Sequence, residues 1–157
     1  MKNNQGFTLV ELIVVIAIMS IIAGVSSNVM SSVSNQELKD FVNSYDAMLS
    51  ECKVETLSGM PSPSLKIVVE DGEYRAVLYK NGTEVKKQYL GEDYLTCKFY
   101  TADGTEKSGS LSISYDRSTG AITTSIEDVT KVSVSNKKGT TYSVELIPQT
   151  GYHKVVR

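Results

Sequence analysis

The sequence predicts an α+β protein, with one long amino-terminal helix and a carboxy-terminal antiparallel β-sheet domain. Three patterns predict it: an apolar run behind a short polar leader, a helical apolar stripe that follows this run, and alternating apolar and polar residues beyond Pro61. The chain has 157 residues. Without the leader and the apolar run, enough chain is left for one small globular domain.

The first element is a short leader that precedes an apolar segment. Residues 1–6 are polar, carry Lys2 and end in Gly6. The mostly apolar residues that follow can cross the ~30 Å hydrocarbon core of a bilayer at ~1.5 Å per residue. We therefore predict a leader at 1–6 and a transmembrane half-helix at 7–27. Glu11 interrupts this segment, and an acid there costs roughly 2.5–3.5 kcal/mol, so a functional role is expected for it.

The second element, residues 28–59, has the pattern of an amphipathic half-helix. Apolar residues recur there at steps of three and four and form one stripe: Val33, Leu38, Phe41, Val42, Tyr45, Met48, Leu49 and Cys52. No proline occurs before Pro61, so we predict one helix from about Phe7 to about Ser58. Gly59 and the prolines behind it end this helix, because glycine is favoured just past a helix end and proline cannot continue one.

The third element, residues 60–157, is predicted to be a β-rich globular head. Asp71-Gly72 and Asn81-Gly82 are strong hairpin signals, because both residues of such a pair adopt positive φ at low cost. Later segments alternate clearly: Leu111, Ile113 and Tyr115, for example, are separated by serines. One buried and one wet face are typical of an antiparallel sheet, here with seven to nine strands. The apolar stripe of the helix would cover the buried face.

The two cysteines have two interpretations. Cys52 lies on the helix stripe and Cys97 on a predicted buried strand face, so the two could meet. A disulfide there would add roughly 4 kcal/mol in the chain-entropy model, whereas two small buried thiols are equally ordinary. Their spacing matches no zinc or redox motif. His153 is the single histidine, so we expect no metal site and no cofactor.

Several functional classes have little support in the sequence. The net charge is −2, and nothing in the composition indicates a specific nucleic-acid partner. No phosphate-binding loop of Walker type and no GxSxG motif occurs. Adjacent carboxylates such as Glu92-Asp93 point to opposite faces of a strand and rarely form an acid/base pair. We therefore expect a protein that is not an enzyme.

Residues 6–11, Gly-Phe-Thr-Leu-Val-Glu, resemble the processing site of type IV prepilins and of type II secretion pseudopilins. The likeness covers about the first 25 residues and includes the order of the residue types and their distance to the apolar run. A fainter likeness lies near the other end of the chain. There, residues 139–146 and the Gln149 to Tyr152 turn are similar to the closing strands of H-type minor pseudopilins and related minor fimbrial pilins.

The resemblance implies a pilin-like fold and a history for the chain. A prepilin peptidase would cut between Gly6 and Phe7 and N-methylate Phe7. Glu11 would face the terminal amine of a neighbouring subunit and set the register of a filament. The residues that pack the filament core would be Leu9, Val10, Leu12, Ile13 and Ile16. The implied partners are other pilin subunits, the peptidase, an inner-membrane assembly platform and an assembly ATPase.

The function implied is that of a structural subunit of a type IV pilus, a type II secretion filament or a competence filament. Before assembly the chain would be a single-pass membrane protein with a cytoplasmic amino terminus and an extracytoplasmic head. After assembly it would belong to a cell-surface or periplasmic filament.

Other interpretations stay open at this point. A Sec signal peptide with its cleavage site near residues 23–27, or a plain membrane anchor, would explain the apolar run but not Glu11. The alternative from another class is a membrane-anchored adhesive or ligand-binding β-domain. It rests on nine tyrosines and no tryptophan, because exposed tyrosine is enriched at interfaces.

Overall fold

The computed structural model describes residues 8–59 and 63–157, with side chains described throughout these ranges except at 23–34. The chain divides into two compact units, residues 1–34 and 35–157. One helix, α1 (Leu9–Leu57), is followed by strands β1 (Pro63–Glu70), β2 (Glu73–Lys80), β3 (Thr83–Glu92), β4 (Thr96–Thr101), β5 (Glu106–Lys107), β6 (Ser112–Tyr115), β7 (Ile122–Thr124), β8 (Val129–Ser135), β9 (Thr141–Ile147) and β10 (Tyr152–Val156).

The strands of the second unit form two five-stranded sheets. The strand order is β3-β2-β1-β6-β7 in one sheet and β10-β9-β8-β4-β5 in the other. Every pair of neighbouring strands is antiparallel, which confirms the α+β class and its antiparallel sheets. The described residues contain ten strands rather than seven to nine, because β5 and β7 have only two and three residues and are too short to show alternation.

Both predicted hairpin turns are present. Asp71 and Gly72 connect β1 to β2 with φ of 52° and 78°, and Asn81 and Gly82 connect β2 to β3 with φ of 51° and 77°. Two successive positive φ values are the signature of the type I′ turn, whose twist matches that of the flanking strands. The first turn leads into a regular register between β1 and β2, whereas the pairing of β2 with β3 is interrupted by register shifts at Tyr74/Arg75 and Leu78/Tyr79.

The core of the second unit lies between α1 and the inner faces of the sheets. The predicted helix stripe is buried at every position whose side chain is described, from Leu38 to Cys52. The Phe41 and Tyr74 rings pack edge to face, with centroids 5.7 Å apart. Of the strand residues that were predicted to face inward, Leu111, Ile113 and Tyr115 are buried, whereas Cys97 is only partly buried.

Helix α1 ends close to the predicted position. Gly59 has φ of 92°, the left-handed conformation that glycine adopts just past a helix end. Phe7 lies outside the described residues, and the boundary between the two units falls inside α1. The prediction of one long helix through both predicted halves therefore stays a prediction.

Candidate assembly site at the amino end of helix α1

Thr8 and Glu11 cap the start of α1 reciprocally. The Thr8 amide and hydroxyl donate to Glu11 Oε2 at 2.9 and 3.0 Å, and the Glu11 amide donates to Thr8 Oγ1 at 3.3 Å. Thr8 immediately precedes the helix and Glu11 is its third residue, so the pair forms a capping box. The box satisfies two of the amide groups that a helix start leaves without intrahelical partners.

The capping box holds the Glu11 carboxylate where negative charge is favourable. The amino end of a helix carries about half a positive charge, and both bonds from Thr8 end on the same oxygen, Oε2. Within the described part of the chain, Oε1 receives no hydrogen bond. A carboxylate has about four acceptor positions, so the capped Glu11 has room to accept a further donor.

The residues predicted to pack a filament core lie in the first turns of α1, next to this cap, and their apolar side chains are exposed. Leu9 is 75% and Ile16 55% exposed, and Val10, Leu12 and Ile13 are exposed as well. The exposed run continues to Ile22 and has consecutive apolar positions, so it is apolar on all sides of the helix. A helix with this property is normally buried in a membrane or among other proteins.

Three predictions about this end of the chain are not confirmed by the structure. Gly6 and Phe7 lie outside the described residues, so cleavage between them and methylation of Phe7 stay predictions. Among the residues that the structure describes, no helix is long and apolar enough to cross a membrane. The transmembrane segment at 7–27 accordingly stays a prediction.

Cys52 and Cys97 are both free thiols in the structure, so the disulfide alternative is not formed there. Cys52 is buried on α1, where desolvation and then the charges of Glu55 and Glu51 raise the thiol pKa to about 12. Cys97 lies on β4, where desolvation of its sulfur raises the pKa to about 12. Both thiols are thus kept protonated and unreactive near neutral pH.

Thr8 is a functional residue that sequence reasoning missed. The pattern Thr-x-x-Glu before an apolar run is the sequence signature of a capping box, so the signal was present. From the sequence, Glu11 was interpreted as an unfavourable charge in an apolar segment and, through the resemblance, as the partner of a neighbouring subunit's amine. The structure assigns it a second role as the acidic member of the helix cap.

Comparison with known proteins adds one match at this end of the chain. Residues 1–27 match the family model described as the prokaryotic N-terminal methylation motif. Searches of the curated proteins and of the solved structures found no match. The matched segment contains the capping box and the whole exposed apolar run from Leu9 to Ile22. The chain therefore carries a prokaryotic N-terminal methylation motif at its amino end.

Proposed function

We propose that the protein is a structural subunit of a type IV pilus, a type II secretion filament or a competence filament. The observation that carries this proposal is the exposed, all-round apolar run of α1 with Glu11 capped at its start. The methylation motif at residues 1–27 supports it. A surface of this kind has to be covered. Lipid would cover it before assembly, and the helices of other pilin subunits would cover it afterwards.

In the proposed pathway the chain is inserted in the inner membrane with its amino end cytoplasmic and its head outside. Prepilin peptidase cuts between Gly6 and Phe7 and methylates the new amine of Phe7, which keeps its positive charge. An assembly platform and its ATPase then move the subunit from the bilayer into the filament. Leu9, Val10 and the other exposed residues of the run exchange lipid for neighbouring helices.

Glu11 provides the specificity of this step. A buried charge without a partner is strongly destabilising, by about 3–5 kcal/mol, so a filament core accepts Glu11 only with a cation beside it. The methylated amine of a neighbouring subunit supplies that cation when its height matches. Since Thr8 occupies Oε2 alone, the amine can bind at Oε1 without breaking the helix cap.

The alternative of an adhesive or ligand-binding β-domain would use exposed tyrosines. Three of the tyrosines in the first strands are engaged within the head: Tyr74 packs on Phe41, Tyr79 lies under the Lys66 ammonium group, and Tyr94 bonds Glu37. Tyr89, Tyr94 and Tyr152 are exposed. An adhesive role would depend on these three residues.

Mass spectrometry of the protein purified from its own membranes tests the proposal. We expect a mature chain that starts at Phe7 and carries one additional methyl group. An intact Met1 would contradict the proposed processing, and so would a start near residues 23–27, which would indicate a signal peptide. A Gly6→Leu variant should stay uncleaved, because the bulky side chain occupies the proposed peptidase site.

A further inference from the structure

A groove of about 480 Å³ crosses strands β4, β8 and β9 on the outer face of their sheet, in the second unit. Val132 and Val134 of β8 belong to the core. Successive side chains of a strand point to opposite faces, so Ser133 between them faces outward, where it lines the groove. The volume lies within the range of small-ligand sites, about 300–1,000 Å³.

Two serine hydroxyls on this face have no partner in the protein. Ser133 and Ser143 lie opposite each other on β8 and β9, and each residue is only 7% exposed. Among the residues that the structure describes, neither hydroxyl makes a hydrogen bond. Since polar groups buried to this extent are normally bonded, the two hydroxyls are available to a ligand that fills the groove.

A row of charged side chains borders the serines. Lys131, Glu145 and Lys154 lie side by side on three neighbouring strands. The Glu145 carboxylate is 4.0 Å from Lys131 Nζ and 3.0 Å from Lys154 Nζ, and both Lys131 and Glu145 line the groove. The groove therefore offers a charged donor, a charged acceptor and hydroxyl groups that both donate and accept.

Apolar surface lies on both sides of these polar groups. Tyr100 on β4 is next to Lys131, and Ile147 on β9 is 39% exposed; both line the groove. Tyr152, which is 55% exposed, is the neighbour of Ile147 on β10. Tyrosine combines a large apolar ring with a polar tip, so this face suits a ligand that has an apolar side and a polar rim.

A β-bulge shapes one end of the groove. Tyr100 pairs with Lys131 and Thr101 with Val129, so Thr130 has no opposite residue on β4. Bulges redirect side chains and are common beside functional sites. Thr101 and Thr130 line both this groove and a second one of about 470 Å³. The two grooves are therefore contiguous and have room for a chain of several units.

The groove suits an uncharged ligand better than an ion or a peptide strand. Glu145 lies between two ammonium groups and would repel an anion, while Lys131 would repel a cation. A peptide strand adds to a sheet through backbone bonds at a free edge, whereas β8 already pairs with β4 and β9. Its outer face accordingly offers side chains, and these are hydroxyl groups, one ion pair and a tyrosine ring.

We propose that this groove binds a neutral oligosaccharide. Every sugar hydroxyl both donates and accepts, as do the hydroxyl groups of Ser133 and Ser143. Two neighbouring hydroxyls of one sugar ring accept from Lys131 and donate to Glu145, and the C–H face of the ring packs on Tyr100. A second sugar unit extends into the adjoining groove. This binding is a property of the head alone and does not depend on the proposed filament role.

Saturation-transfer difference NMR on the full chain tests the proposal, with maltotriose, mannotriose and triacetylchitotriose as separate probes. The detergent has no sugar headgroup, because such a headgroup would compete for the groove. We expect saturable binding of at least one probe. Ser133→Ala should weaken it about fivefold, the loss of one hydrogen bond, and Glu145→Gln at least about tenfold, because bonds to a charged group are stronger.

Ser135→Ala is the matched control, because Ser135 lies on the same strand and face as Ser133 but outside the groove. It should bind the probe like the natural chain, and all three variants should unfold at the same urea concentration as the natural chain.

No saturation transfer to any of the three probes would overturn the proposal, and this readout requires no variant. Equal binding by Ser133→Ala and Ser135→Ala would also overturn it. Displacement of the probe by sodium phosphate would indicate an anion site instead. Because the purified subunit is used, a failure of filament assembly would leave each of these results unchanged.

Discussion

The Thr8 hydroxyl both donates to the Glu11 carboxylate, at 3.0 Å, and accepts the Glu11 amide hydrogen, at 3.3 Å. The residue that appears from the sequence to be an isolated charge in an apolar run is thus the third residue of a capped helix. In the account proposed here Glu11 has two tasks, which use different oxygens of one carboxylate. Capping uses Oε2, and pairing with a neighbour's amine would use Oε1.

The capping role can be tested separately from assembly. Thr8→Val keeps the side-chain shape but removes the hydroxyl, so it should cost about 1 kcal/mol in the stability of the helix start. Hydrogen exchange of the amides at Glu11 and Leu12 should accelerate by roughly fivefold, the equivalent of that free energy. Thr8→Ser is the control and should exchange like the natural chain. Equal exchange in the Val and Ser variants would contradict the cap.

Gly151 gives a test of the packing between the two sheets. It has φ of 63°, and a Cβ there would overlap the carbonyl oxygen of Gly120 in the turn between β6 and β7. Gly139 has φ of 82° but open space around it. Gly139→Ala should cost about 1 kcal/mol in strain, and Gly151→Ala about 2 kcal/mol more, because the turns must separate.

Urea unfolding of both variants in the full chain measures these costs. The difference between the two alanine variants isolates the contact of Gly151 with Gly120, since both variants share the left-handed strain. Equal midpoints of unfolding for the two variants would show that the turns can separate without loss.

The low pKa of Asp116 predicts that the free energy of unfolding decreases at acid pH. Its carboxylate accepts hydrogen bonds from Ser118 and Thr119 in the turn after β6, and these bonds lower its pKa to about 2. The folded pKa is below the unfolded value of about 3.9, so its stabilisation is complete above that value. It is lost as the pH falls from about 4 to about 2.

Measuring the free energy of unfolding of the full chain at pH values from 5 to 2 tests this assignment. Asp116→Asn should flatten the curve between pH 4 and 2 relative to the natural chain, because the amide does not titrate. The effect is modest, since the group is exposed to solvent. A variant that loses stability as steeply as the natural chain would show that other carboxylates cause the loss of stability at acid pH.

The burial of the two cysteines predicts that their thiols react with an alkylating agent only when the chain is unfolded. With thiol pKa values of about 12 for Cys52 and Cys97, iodoacetamide at pH 8 should leave the folded chain unmodified. The unfolded chain should gain two adducts without any reductant. Two adducts that appear only after reduction would instead show that the disulfide alternative applies to the exported protein.

The parts of the fold that were predictable are those with a local signal. The two hairpin turns follow from Asp71-Gly72 and Asn81-Gly82, because positive φ at adjacent residues is a property of those residue types. The helix stripe follows from its spacing, because 3.6 residues per turn bring Leu38, Phe41 and Tyr45 to one face. Each of these patterns spans only a few residues.

The parts that were not predictable depend on long-range pairing. Nothing local in β1 indicates that it pairs with β6 as well as β2, or that β8 lies between β4 and β9. The 3.6 Å contact between His153 Nε2 and Asp46 Oδ1 depends on where the carboxy-terminal strand docks on α1, so a single histidine gave no signal. Thr8 is different, because its motif was readable and was overlooked beside the charge of Glu11.

The charge of Glu11 is the central element of the proposed assembly mechanism. Glu11→Gln keeps the size of the side chain and an acceptor oxygen for Thr8, and removes only the charge. Its matched control is Asp40→Asn, which removes an exposed carboxylate from the same helix. Both variants should be inserted and processed like the natural chain, because the leader and the apolar run are unchanged.

The yield of sheared filaments per unit of processed subunit in the membrane tests this mechanism most directly. We expect at least about tenfold fewer filaments for Glu11→Gln, since the neighbour's amine loses its partner in a core that water does not reach. For Asp40→Asn we expect the filament yield of the natural chain. A filament yield for Glu11→Gln equal to that of the natural chain would contradict it.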